Sequence, residues 1–271
     1  MPQKSTRRPG AMTSGRVRST AASSSAFVGL GGFGMLRHDA PMREPPEALL
    51  VGQDEAPMVP VPGGEARVHR EVLPALQALQ AEASRAGFAL EVGSGFRSFA
   101  RQLHIWNAKA RGERPVLDAQ ERPVQLAALP PLERVHAILR WSALPGASRH
   151  HWGTDLDVFD RAALAPGAAF EMRAEETAPG GPFAPMHAWL DANLHRFGFF
   201  RPYAQDLGGV SPERWHLSYA PLALPLQRAH SPGRLARALE AAQVELGDVV
   251  LRELDALYAR YVDNVSLPGV A

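Results

Sequence analysis

The 271-residue chain has no cysteine, which excludes disulfides, thiolate nucleophiles and cysteine-type zinc sites. Any metal site must therefore use nitrogen and oxygen donors. No apolar run approaches the ~20 residues of a bilayer-spanning helix, so no transmembrane segment is expected. HExxH is missing, and so are a GxSxG elbow (the "GSG" at 93–95 lacks the spacing) and a P-loop. Helix-based zinc peptidases, serine hydrolases and P-loop NTPases are set aside on that ground. The first 38 residues contain no acid but hold six of the 29 Lys/Arg, so the remaining 23 face 28 Asp/Glu. The basic character belongs to a tail and the body is mildly acidic. A nucleic-acid partner is not expected, because its binding surface would need cations clustered on the folded part.

Residues 1–46 are rich in Ser, Thr, Gly, Arg and then Pro, with no period that could bury a face. They read as a disordered basic tail, or as a poor export signal with "AFVGLGGFGML" as its apolar stretch. Gly29, Gly31 and Gly34 fit GxGxxG there but lack the flanking strand and helix of a dinucleotide loop. Beyond the tail, helices are expected over 68–86, 98–110, 132–141 and 186–197, and a single long one over 232–262. "FALEV", "TDLDVF" and "RWHLSYA" read as strands, and residues 161–185 as a connection. The irregular order favours an α+β fold.

The chemistry concentrates in "SRHHWGTDLDVFD", residues 148–160. A catalytic zinc takes three His/Asp/Glu ligands and leaves one position for water, whose pKa it lowers to about 7. His150 and Asp157 come from this stretch; Glu213 and His216 of "ERWH" add an imidazole and a spare carboxylate suited to a general base. Strand alternation puts Asp155 on the same face as Asp157, with Leu156 and Val158 opposite. Asp155 is then either a charge beside the metal or a competing ligand. His151, next to His150, is either a support behind the ligand or a surface residue.

These motifs resemble the VanY-like D-alanyl-D-alanine carboxypeptidases, within the lysostaphin, D-Ala-D-Ala carboxypeptidase and Sonic hedgehog group of zinc peptidases. That pattern, S-x-H-x-x-G-x-x-x-D then E-x-W-H, is filled by Ser148, His150, Gly153, Asp157, Glu213, Trp215 and His216. Upstream, G-[YF]-R-S-x-x-x-Q is filled by Gly95, Phe96, Arg97, Ser98 and Gln102. The resemblance covers roughly residues 65–222. It implies one zinc per chain on His150, Asp157 and His216, with Glu213 as base. It also implies Arg97 on a substrate carboxylate, and Ser98, Gln102 and Ser148 in the peptide site.

The expected architecture is a central antiparallel sheet carrying the zinc site and flanked by helices. A zinc peptidase domain over 47–230 follows the 1–46 tail, and a C-terminal helical extension occupies 231–271. The implied function is a D,D- or L,D-carboxypeptidase on bacterial cell-wall peptides, which favours the cell envelope or periplasm if the N-terminus is exported and the cytoplasm if not. A peptidoglycan endopeptidase, a zinc-holding binding module without turnover, and an interaction protein working through its C-terminal helix stay open. Oligomeric state is not legible.

Overall fold

The computed structural model describes residues 44–269. The tail or leader expected over 1–46, apart from its last three residues, and the GxGxxG at 29–34 lie outside the described residues.

Among the described residues six strands form, β1 (Met58–Pro60), β2 (Arg67–His69), β3 (Leu90–Ser94), β4 (Asp155–Asp160), β5 (Phe199–Phe200) and β6 (His216–Tyr219). The first two make a small antiparallel hairpin that sequence patterning does not reveal. The other four form one antiparallel sheet in the order β3-β4-β6-β5. The helices are α1 (Glu47–Leu50), α2 (Leu73–Arg85), α3 (Phe99–Ala110), α4 (Pro131–Leu139), α5 (Ala174–Thr177), α6 (Ala184–Asn193), α7 (Ala220–Ala229), α8 (Pro232–Glu240), α9 (Gly247–Arg252) and α10 (Leu254–Tyr261). The fold is α+β, with antiparallel strands flanked by helices.

Alternation in β4 sets the two sides of the sheet. Leu156 and Val158 join Leu90, Val92 and Leu217 in a core against Leu76 and Leu79 of α2 and Met186 and Leu190 of α6. The opposite side carries Asp155 and Asp157, paired across the ladder with Ser218 and His216. All six residues of β4 are buried, so the polar side of the strand is enclosed as well.

The single helix expected over 232–262 is three. α8 ends at Glu240, Leu246 takes a left-handed conformation (φ 61°) before Gly247, and α9 and α10 follow. An unbroken helix of that span would run about 45 Å and carry its ends off the body. Broken, it folds Leu235, Leu239, Val249, Val250, Leu257 and Tyr261 onto Trp106 of α3 and Val135, Ile138 and Leu139 of α4. The C-terminal residues therefore pack on their own chain.

Gly153 closes the 3-10 turn Arg149–Trp152 at φ 63°. A Cβ there would lie 2.5 Å from Met58 Sδ and 2.7 Å from His69 N, so hairpin and turn approach closely only because this position is glycine.

Candidate active site

The 3-10 turn delivers His150, and the antiparallel pair β4–β6 delivers Asp157 and His216 directly opposite each other. The donor atoms of the three lie within 4.8 Å of one another, and all three residues are buried. His150 Nδ1 donates to the Gly95 carbonyl at 2.8 Å, which leaves Nε2 as its free lone pair, 3.3 Å from Asp157 Oδ2. On His216 the tautomer is reversed: Nε2 donates to Asp155 Oδ1 at 2.9 Å. Its Nδ1 then points a lone pair at Asp157 Oδ1, 3.1 Å away.

Asp157 Oδ1 is buried without a hydrogen-bond donor. Two acceptors facing each other in a buried space need a proton or a metal ion between them. The residues present therefore fit a metal ion held by His150 Nε2, Asp157 and His216 Nδ1. Burial keeps His150 below its ordinary pKa, so it is a neutral ligand. Burial opposes the charge on Asp157, but His150 and His216 hold its carboxyl well below the usual range. Without a metal, a proton takes that place on His216 Nδ1: burial is outweighed by the Asp155 and Asp157 carboxylates, which raise His216 to about 10. A metal ion there would displace it.

Asp155 is not a second metal-facing carboxylate. Besides His216 it accepts from Arg149 Nε at 2.8 Å, Thr154 Oγ1 at 2.6 Å and Ser218 Oγ at 3.1 Å. Burial would raise its pKa; Arg149 and His216 override it and hold the carboxyl low. Asp155 thus fixes the His216 ring from behind, as carboxylates do for metal-bound histidines. Asp155→Ala should weaken metal binding by about 10–100-fold. It should also cost about 3–5 kcal/mol of stability, because it strands the buried Arg149 guanidinium. Metal titration and denaturant unfolding measure the two. Metal loss here with retention in Asp157→Ala would make Asp155 the ligand.

Glu213 sits beside the triad, with Oε2 3.5 Å from His216 Nδ1. Burial, opposed by His216 and reinforced by Asp157, pushes its carboxyl up to about 7. It lines a cleft of about 460 Å³ together with Arg97, Ser148, His150, Asp157 and His216.

Two residues expected in the peptide site are not there. Ser98 caps α3, its hydroxyl accepting from Arg101 N at 3.3 Å, and it does not line the cleft. Gln102 is wholly buried behind Arg97: its Oε1 accepts from Arg97 Nη1 at 3.0 Å and its Nε2 donates to the Ala143 carbonyl at 2.7 Å. Gln102 holds the guanidinium from behind and does not line the cleft.

His151 is enclosed, not at the surface. Its Nδ1 donates to the Arg97 carbonyl at 2.6 Å, and its Nε2 accepts from Gly146 N–H at 2.9 Å. Burial lowers it to about 3, so it stays neutral. The Gly146 carbonyl accepts from His230 Nε2 at 2.8 Å, and His230 Nδ1 accepts from the Tyr258 hydroxyl of α10 at 2.8 Å.

Sequence reasoning missed Tyr203, whose ring packs edge-on to His216 at 5.0 Å and whose carbonyl accepts from Glu213 N–H at 3.0 Å. It lies in a loop with no motif to mark it. Arg149 was readable only as the variable position between Ser148 and His150.

A two-histidine, one-aspartate cluster on an antiparallel sheet, with a half-buried glutamate beside it in an open cleft, has the makings of a metallohydrolase centre. Residues 65–222 match the family described as VanY, D-alanyl-D-alanine carboxypeptidase. The chain belongs to that family.

A D-alanyl-D-alanine carboxypeptidase of Enterococcus faecalis is 27% identical over 161 residues, covering 56% of this chain and 48% of that protein. An uncharacterized protein of Haemophilus influenzae is 33% identical over 121 residues, covering 44% of this chain and 92% of its own. Among solved structures, VanYB in complex with D-alanine-D-alanine is similar at a TM-score of 0.44 and 22% identity, covering 68% of this chain and 88% of that one.

Proposed function

We propose that the protein is a zinc carboxypeptidase, with one zinc per chain, hydrolysing a D,D- or L,D-peptide bond near the free C-terminus of peptidoglycan-derived peptides. The reading rests on one observation above all: the unsatisfied Asp157 oxygen faces His216 Nδ1 beside Glu213, in a cleft that also holds a half-buried arginine. Family membership supports it. Two imidazoles and a carboxylate suit zinc, which when bound would acidify a water and polarise a carbonyl. Glu213 takes the proton of the attacking water and returns it to the leaving amine. Arg97, half-buried and bonded only to neutral Gln102 and Ser94, has a guanidinium to offer a terminal carboxylate in two parallel hydrogen bonds. In this reading the substrate locates the enzyme in the cell envelope.

Digestion of peptidoglycan peptides with zinc-loaded protein, with products identified by mass, is the test. Amidating the substrate C-terminus, or Arg97→Ala, should each slow cleavage by about one to three orders of magnitude. The two losses should not add, because they remove the same contact. Equal cleavage of acid and amide would mark an endopeptidase. Absence of turnover by metal-replete protein would leave a binding module.

A further inference from the structure

The cleft holds more positive charge than hydrolysis of a simple peptide uses. Lys109, in the last turn of α3, and Arg114, in the loop that follows, line the same cleft as Arg97 and Glu213. Among the described residues, neither makes an ion pair, and Arg97 is bonded only to neutral side chains. The other arginines of the wall are committed, Arg149 to Asp155 at 2.8 Å and Arg173 to Glu175 at 3.1 Å. Of the carboxylates that line the cleft, Asp157 belongs to the triad, Glu213 is the base, Glu121 faces Arg173 at 3.7 Å and Glu171 stands exposed at the rim. A bound divalent ion adds further positive charge. One terminal carboxylate on Arg97 would leave Lys109 and Arg114 without a carboxylate of their own, and for the partly buried Lys109 ammonium that is a cost.

We infer that Lys109 and Arg114 form a second anion subsite beside Arg97, which receives a side-chain carboxylate on the residue released by cleavage. The inference rests on the carboxypeptidase reading and narrows its substrate to peptides ending in an acidic residue. Burial lowers Lys109 only to about 8, so it remains a cation at neutral pH. Exposed Arg114 supplies the part of the attraction that salt screens.

Two peptides identical except for a terminal D-Glu or its neutral isostere D-Gln isolate the added charge. Wild type should prefer D-Glu by about 10-fold or more in kcat/KM, mostly through KM, as expected for a charge-assisted contact. The ratio should shrink with ionic strength, fall to about one in Lys109→Met/Arg114→Gln, and survive in Lys109→Arg/Arg114→Lys. Being a ratio within one preparation, it is insensitive to partial loss of folded enzyme. Calorimetric binding of both peptides to Glu213→Gln protein separates this inference from the reading beneath it. Tighter binding of the D-Glu peptide without turnover by wild type would retire hydrolysis and keep the subsite. Equal rates and equal binding for the two peptides would retire the subsite and keep hydrolysis.

Discussion

Glu213→Gln should abolish most turnover, with a loss in kcat of about 10²–10⁴-fold, the usual contribution of a positioned general base. The substitution keeps the shape and removes only basicity, so metal content and unfolding midpoint should match wild type. The triad is complete without Glu213, which separates the loss of a base from the loss of a ligand. Because burial raises this carboxyl to about 7 and a bound cation would lower it from there, the acid limb of the pH–rate profile should fall at or below pH 7. Activity disappears as pH falls through that value, since only the carboxylate accepts a proton. Near-normal turnover in the glutamine variant would remove Glu213 from the mechanism.

His216→Ala should leave the purified protein with little or no zinc and no activity above background. His216 gives its Nδ1 to the cluster and is the one ligand that bridges Asp157 to Asp155. Removing it deletes a donor and at the same time leaves Asp155 Oδ1 without its imidazole partner. The loss should therefore exceed the about 10–100-fold expected for a supporting residue. Full zinc occupancy by elemental analysis would overturn the assignment.

The clustered His150, Asp157 and His216 and the glutamate beside them are legible in the sequence because each lies within a short motif whose spacing a strand or turn preserves. β4 puts Asp157 two residues from Asp155 on one face, and period-two alternation predicts that much. It does not say which neighbour each carboxylate meets. Asp155 turns to His216 and Arg149 because β6 pairs with β4 in the register that places Ser218 opposite it, and register between distant segments is not a local property. Ser98 fitted a motif, yet its hydroxyl is engaged by the backbone N–H of Arg101, a competition that polar residues at helix starts commonly enter. The cationic wall is invisible for a similar reason: Arg97 precedes α3, Lys109 and Arg114 come at and after its end, and they share a cleft only in the fold. The break at Leu246 hides in a sequence that continues the helical period across it.

Gly146 is gripped from both sides, by His151 on its N–H and by His230 on its carbonyl, with Tyr258 of α10 holding His230 in turn. The turn that carries His150 is thereby fastened to residues beyond position 222, where the family match stops. The boundary drawn by ancestry is therefore not a boundary of stability in this chain. A fragment cut to 65–222 would keep every ligand and bare Trp106, Ile138 and Leu139 to water. It would also free the Gly146 carbonyl from His230, one of the two contacts that hold the segment leading into the histidine turn, so the inherited motif would persist as chemistry without a frame.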